Sequence, residues 1–169
     1  MSEKRASSPG KKGRKKSDKQ KVEEVIEEQE PVPIEPTSGV FVFPSGATYD
    51  GQVMNFPEKG LMRHGKGIFV DGPVRYEGDW VEDVMEGEGF FTREGGSSYQ
   101  GSFKHNTYNG EGTYTWPDGA TYTGGWLDGK MHGRGKYISE KGVEWQGVFY
   151  NGSGPELVRP VLAPTQKSE

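Results

Sequence analysis

Three histidines, His64, His105 and His132, are the side chains best suited to metal or acid–base chemistry in this sequence. His64 and His132 hold the same place, each just before a Gly-x-Gly triplet. They stand three repeats of sequence apart. At two strands per repeat that is about 29 Å, whereas one metal ion holds its nitrogen ligands at about 2 Å. His105 falls in an adjacent loop register, at least a repeat from either, so the three read as loop residues rather than ligands. Ser97, Ser98 and Ser153 lack a Gly-x-Ser-x-Gly setting and a His–Asp set to activate them. The absence of cysteine removes thiolate zinc sites, cysteine nucleophiles and disulfides together. The carboxylates Glu77, Asp79, Glu82, Asp83, Glu86, Glu88 and Glu94 are dense enough for paired acid–base work. However, Glu77, Asp79 and Glu88 alternate with aromatic positions, which places them on a solvated face as a stripe suited to a basic partner. None of the Gly-x-Gly pairs fits Gly-x-Gly-x-x-Gly or opens a helix, so no phosphate loop and no cofactor is implied.

What must position these residues is a 23-residue period. Tyr76-Glu77-Gly78-Asp79-Trp80 returns as Tyr99-Gln100-Gly101-Ser102-Phe103, as Tyr122-Thr123-Gly124-Gly125-Trp126 and as Trp145-Gln146-Gly147-Val148-Phe149. Gly87-x-Gly89, Gly110-x-Gly112 and Gly133-x-Gly135 recur at the same spacing. A unit this short cannot bury its own apolar face, so units must stack, and a stacked array presents a surface rather than a catalytic pocket. Within a unit the recurrent residues fall on alternate positions, the signature of strands. Pro117-Asp118-Gly119, Asp71-Gly72, Gly95-Gly96 and Lys141-Gly142 supply turns between them. The expected fold is all-β: a single-layer array of about five stacked antiparallel hairpins over residues 39–152, with turns near 45, 72, 95, 118 and 141. Its core is assigned to Tyr76, Trp80, Tyr99, Phe103, Tyr122, Trp126, Trp145 and Phe149. Gly87, Gly89, Gly110, Gly112, Gly133 and Gly135 share that face by parity, leaving gaps in which a ring from the next hairpin lies on bare backbone.

Composition supports a thin aromatic core. Only 30% of residues are hydrophobic, yet there are 8 Tyr, 8 Phe and 4 Trp, each burying far more area than a valine. The chain has no secretory h-region and no run of about 18 apolar residues, and with no cysteine it is expected to be cytoplasmic. Residues 1–38 read as a disordered charged tail. Residues 4–21 carry nine Lys and Arg against one Asp, and 23–35 carry six Glu and no base. One short helix fits residues 18–29, ended by Pro31 and Pro33. The cluster Lys11, Lys12, Arg14, Lys15 and Lys16 suits an anionic membrane surface or acidic protein tails. With no aromatic residue in 1–38, sequence-specific nucleic-acid binding is not expected. One connection, Met54 to His64, is five residues longer than its counterpart, and its Phe56, Leu61 and Met62 form a candidate partner-facing knob. Residues 153–169 are proline-rich and apolar at Leu157, Val158, Val161 and Leu162, and are expected to cap the last hairpin, whose edge also invites self-association.

Tyr-x-Gly-x-Trp, six residues, Gly-x-Gly-x-Tyr or Phe, then a Pro-Asp-Gly-type turn resembles the MORN repeat. The likeness covers about two thirds of the chain, and Tyr99–Leu157, with its Glu144-Trp145-x-Gly147 ending, is closer still to one small animal member. The resemblance implies a β-hairpin array without a catalytic set, and a scaffold at a cytoskeletal, ciliary or sperm structure or a vesicle surface. Two further readings stay open at this point. One is a peripheral membrane adaptor using residues 4–21 for anionic lipid; the other, more remote, is an enzyme.

Overall fold

A computed structural model describes residues 35–154. The basic cluster, the short helix and the terminal cap all fall outside those residues. Ten strands alternate with turns: β1 (Thr37–Val42), β2 (Thr48–Phe56), β3 (Gly60–Asp71), β4 (Val74–Val81), β5 (Val84–Thr92), β6 (Ser98–Lys104), β7 (Thr107–Thr115), β8 (Thr121–Leu127), β9 (Lys130–Ile138) and β10 (Glu144–Phe149). They form one sheet in sequence order, antiparallel throughout. Each strand is therefore joined to its neighbour by a turn and needs no crossover. The pairing begins at Thr37, two residues before the half-unit legible in the sequence. Among the described residues no helix is long and apolar enough to cross a membrane.

Two kinds of turn set the register. After β1, β5, β7 and β9 a short loop is closed by paired backbone bonds, as where Trp116 N–H donates to the Ala120 carbonyl at 2.9 Å and Arg93 N–H to that of Ser97 at 2.9 Å. The Asp118 carboxylate accepts from Ala120 N–H at 3.0 Å inside its loop. From β4 onward, each even strand turns through two residues of positive φ, including Glu82-Asp83 and His105-Asn106. These mirror-image turns match the right-handed twist of the strands they join.

From β4 onward, turns of constant length make the sequence period into straight rows, and the longer β2–β3 ladder and shorter β3–β4 turn join the same rows. Phe41, Tyr49, Phe69, Tyr76, Phe91, Tyr99, Tyr114, Tyr122, Tyr137 and Trp145 pair strand to strand, one ring from every strand. Two residues along runs an unbroken glycine row: Gly39, Gly51, Gly67, Gly78, Gly89, Gly101, Gly112, Gly124, Gly135 and Gly147. A Cβ on Gly89 would stand 2.6 Å from the Tyr76 ring, and one on Gly135 2.5 Å from that of Tyr122. The rings of the even strands thus lie flat along the space the glycines leave empty, and a layer of tyrosine on glycine replaces a second sheet as the core.

The parity assignment fails for the first glycine of each pair. Opposite the single residue Asp79, β5 carries three, Glu86, Gly87 and Glu88, and the register shifts. Ser102 and Gly125 likewise face three residues each. Gly87, Gly110 and Gly133 sit at the apex of these bulges with φ of 71°, 100° and 77°. They do not face the rings: a Cβ on Gly87 would meet the Asp79 carboxylate at 2.9 Å, one on Gly110 would meet Ser102 at 3.0 Å, and one on Gly133 would meet nothing. Their role is conformational, because an L-residue in that region is strained.

Candidate functional site

The even-strand tyrosines Tyr49, Tyr76, Tyr99 and Tyr122 are the largest fully buried side chains. Each hydroxyl donates to the backbone carbonyl three residues on: Tyr49 to Gln52 at 2.7 Å, Tyr76 to Asp79 at 2.9 Å, Tyr99 to Ser102 at 3.0 Å and Tyr122 to Gly125 at 3.0 Å. Those carbonyls belong to the bulge, so the tyrosine that covers the glycine also satisfies the irregular backbone beside it. Burial pushes the Tyr49 and Tyr122 phenols up to about 12. Burial raises Tyr76 and Tyr99 further.

Trp80, Phe103, Trp126 and Phe149 stand edge-on to these rings. Trp126 lies 5.2 Å from Tyr122 and 5.3 Å from Tyr99, both near perpendicular, and its indole N–H donates to the Gly112 carbonyl at 3.1 Å. Edge-to-face contact suits the ring quadrupole. Trp145, placed in the core by its repeat position, is only half-buried: β10 is the last described strand, and no further hairpin brings a ring against it.

The rings on the odd strands, with Trp116 just beyond β7, carry the candidate site. Phe69, Phe91, Tyr114, Trp116 and Tyr137, with Met85 and Met131, pack on the core but keep part of their surface open. No second layer among the described residues covers them. Between β7 and β9 they open into a cleft of about 290 Å³, walled by Tyr108, Tyr114, Trp116, Trp126 and Met131, with Arg93 and Lys130 in its lining. At the start of the array the same face is closed by the protein itself. The Arg63 guanidinium lies 4.1 Å from the centre of the Trp80 ring and is held by Asp83 at 2.7 Å.

The candidate knob is not a loop. The extra residues extend the β2–β3 ladder, with Met54 opposite Met62, Asn55 opposite Leu61 and Phe56 opposite Gly60. Continued pairing satisfies backbone groups that a loop would leave open. Phe56 and Met62 are half-buried, Phe56 against the His64 ring at 5.7 Å, and Leu61 is exposed. The ribbon is braced on the next turn by the Lys59–Glu82 and Arg63–Asp83 ion pairs. His64 and His132 lie in β3 and β9 rather than in loops, and only His105 sits in a turn. No cluster of metal-ligating side chains occurs among the described residues. Lys11, Lys12, Arg14, Lys15 and Lys16 lie outside them.

The face turned away from the rings is polar and mixed. Asp50, Ile68, Glu77, Phe90 and Gln100 follow one another across β2 to β6, and Thr113, Thr123, Lys136 and Gln146 continue the row to β10. The row's two carboxylates, Asp50 and Glu77, stand on β2 and β4 and its one base, Lys136, on β9, with Phe90 exposed between them.

Over 51 residues the chain is 39% identical to Protein TIC 100 of Arabidopsis thaliana, an overlap of 29% of this chain and 5% of that protein. The comparisons do not support the closer likeness of Tyr99–Leu157 to one small animal protein. They do match the MORN repeat model in three tandem copies, at residues 76–98, 99–121 and 122–143, each opening on a buried row tyrosine.

Proposed function

We propose that this chain is a non-enzymatic scaffold that holds a partner protein on the aromatic face of its array. The MORN repeat is a non-enzymatic repeat module used for protein or membrane interaction. The observation that carries the reading is the row of half-open rings on a sheet with no covering layer among the described residues. Exposed aromatic surface of that kind, rimmed by polar residues, is costly to leave in water and marks an interaction surface. The setting we assign is the cytoplasm, at a cytoskeletal, ciliary or sperm structure, on the strength of the repeat's resemblance alone.

The rival reading rests on a different feature, the block of nine bases in residues 4–21, and makes the chain a membrane adaptor. The two respond differently to salt. Contacts made by exposed charge weaken steeply as the Debye length falls from about 10 Å at 0.1 M to about 3 Å at 1 M. Ring burial persists. Paired capture from native extract, with the whole chain and with residues 38–169, at two salt concentrations, separates them. The scaffold requires that 38–169 retain its principal protein partner at both. Loss of every partner from 38–169, together with salt-sensitive liposome binding by the whole chain, would replace the scaffold with the adaptor.

A further inference from the structure

The cleft between β7 and β9 contains a polar group that the described protein does not satisfy. Tyr108 is 8% exposed and stacks on Tyr99 with ring centres 3.9 Å apart. Among the described residues its hydroxyl makes no hydrogen bond of good geometry, and the Arg93 guanidinium is the charged group beside it. A buried hydroxyl left unmet costs on the order of 1–3 kcal/mol. Phenylalanine would fill the same space without that cost, so the hydroxyl calls for an acceptor. Tyr108 borders the main cleft and a smaller recess beside Asn106 and Thr107, and Arg93 borders both.

The charge of the cleft runs against that of the array. From residue 39 onward the sequence has 17 acidic and 12 basic residues, yet the cleft lining holds Arg93 and Lys130 and no carboxylate. Neither cation is ion-paired among the described residues. Arg93 stands two residues after the row ring Phe91, where the next hairpin has Trp116. Its guanidinium lies 5.6 Å from the Phe91 ring and 5.8 Å from that of Tyr108. At the start of the array the comparable guanidinium, Arg63 over Trp80, is completed by the protein's own Asp83. Arg93 has the ring and lacks the carboxylate.

We infer that this cleft binds an acidic peptide segment of a partner protein. One apolar side chain seats against Tyr114, Trp116 and Met131, and a neighbouring carboxylate takes the place on Arg93 that Asp83 takes on Arg63. As the guanidinium swings to the carboxylate, the Tyr108 hydroxyl donates to the same group. Charge-assisted bonds of this kind are about twice as strong as neutral ones, and Lys130 at the rim attracts further acid. The inference rests on the reading that the aromatic face is the binding face, and adds the partner's chemistry.

The test follows the indole N–H signals of Trp116 and Trp126 in the whole ¹⁵N-labelled chain. The probes are acetyl-Glu-Leu-Glu-Leu-amide and its Lys-Leu-Lys-Leu counterpart. Saturable shifts are expected with the acidic peptide alone. Arg93→Gln is expected to raise Kd at least tenfold. Tyr108→Phe is expected to raise it several-fold while melting no lower than the parent, since the hydroxyl it removes is unpaired. Equal response to both peptides, no response to either, or unchanged Kd in both variants overturns the inference. The broader reading would survive those results if partner capture still required Trp116. If Glu156→Lys alone moves the two indole signals, the occupant is this chain's own carboxyl-terminal segment and the partner assignment is overturned.

Discussion

The Tyr99 ring closes over Gly112 so tightly that a Cβ on that glycine would stand 2.5 Å from the ring's Cζ, deep inside van der Waals contact. Tyr99 itself is fully buried, and its hydroxyl is fixed on the Ser102 carbonyl, so the ring cannot retreat. Gly112→Ala is therefore expected to cost about 1–3 kcal/mol, the range for overpacking, and Gly112→Val more, despite valine's preference for strands. Gly133→Ala, where a Cβ meets nothing but φ is 77°, should cost about 1–2 kcal/mol from backbone strain alone. Gly133→Asn should recover much of that, whereas Gly112→Asn should not. Urea unfolding of the five variants checks the pair of mechanisms; equal rescue by asparagine at both sites would dissolve the distinction.

That distinction was only half legible in the sequence. Period-two alternation and Pro-Asp-Gly-type turns were enough for an all-β hairpin array, because constant turn lengths convert sequence period into spatial rows. The same counting put Gly110 and Gly112 on one face, since parity counts residues and does not see three bulge residues facing Ser102 alone. The extra residues of the Met54–His64 insertion carry no repeat signature and so imply a loop, yet the backbone simply goes on pairing. The clefts lay beyond pattern reading altogether: Arg93 and Tyr108 occupy positions where the repeat varies, and only the fold brings them together with Trp126.

Trp126→Ala removes a ring that touches Tyr99, Tyr108, Tyr114 and Tyr122. It should destabilise the protein by about 3–5 kcal/mol. Because each hairpin is covered by the next, the damage should reach both neighbours. Hydrogen exchange across residues 99–150 is the readout. Protection kept everywhere except at the mutated strand would mean that the hairpins do not support one another.

The buried phenols make stability fall at high pH. Free tyrosine ionises near pH 10, while burial holds Tyr49 and Tyr122 at about 12. A raised folded pKa means that the unfolded chain loses its protons first. The stabilisation is whole below about pH 10 and is lost as pH climbs from about 10 through about 12. Thermal melts over that window should show a steady decline, with phenolate absorbance from the buried rings appearing only as the protein unfolds. Full phenolate absorbance near pH 10 in a folded protein would show that these hydroxyls are open to water.

Which face holds the partner is the claim on which the rest depends, and capture by face variants tests it most directly. Tyr114→Ser and Trp116→Ser alter the half-open rings, while Phe90→Ser alters the opposite face at an exposed ring. All three chains, confirmed folded by their melts, are compared with the parent for recovery of the same partner from native extract. The aromatic-face reading requires loss of that partner from the Tyr114 and Trp116 variants and its retention by the Phe90 variant. Retention by the first two and loss from the third would contradict it and move the binding surface to the polar side of the sheet.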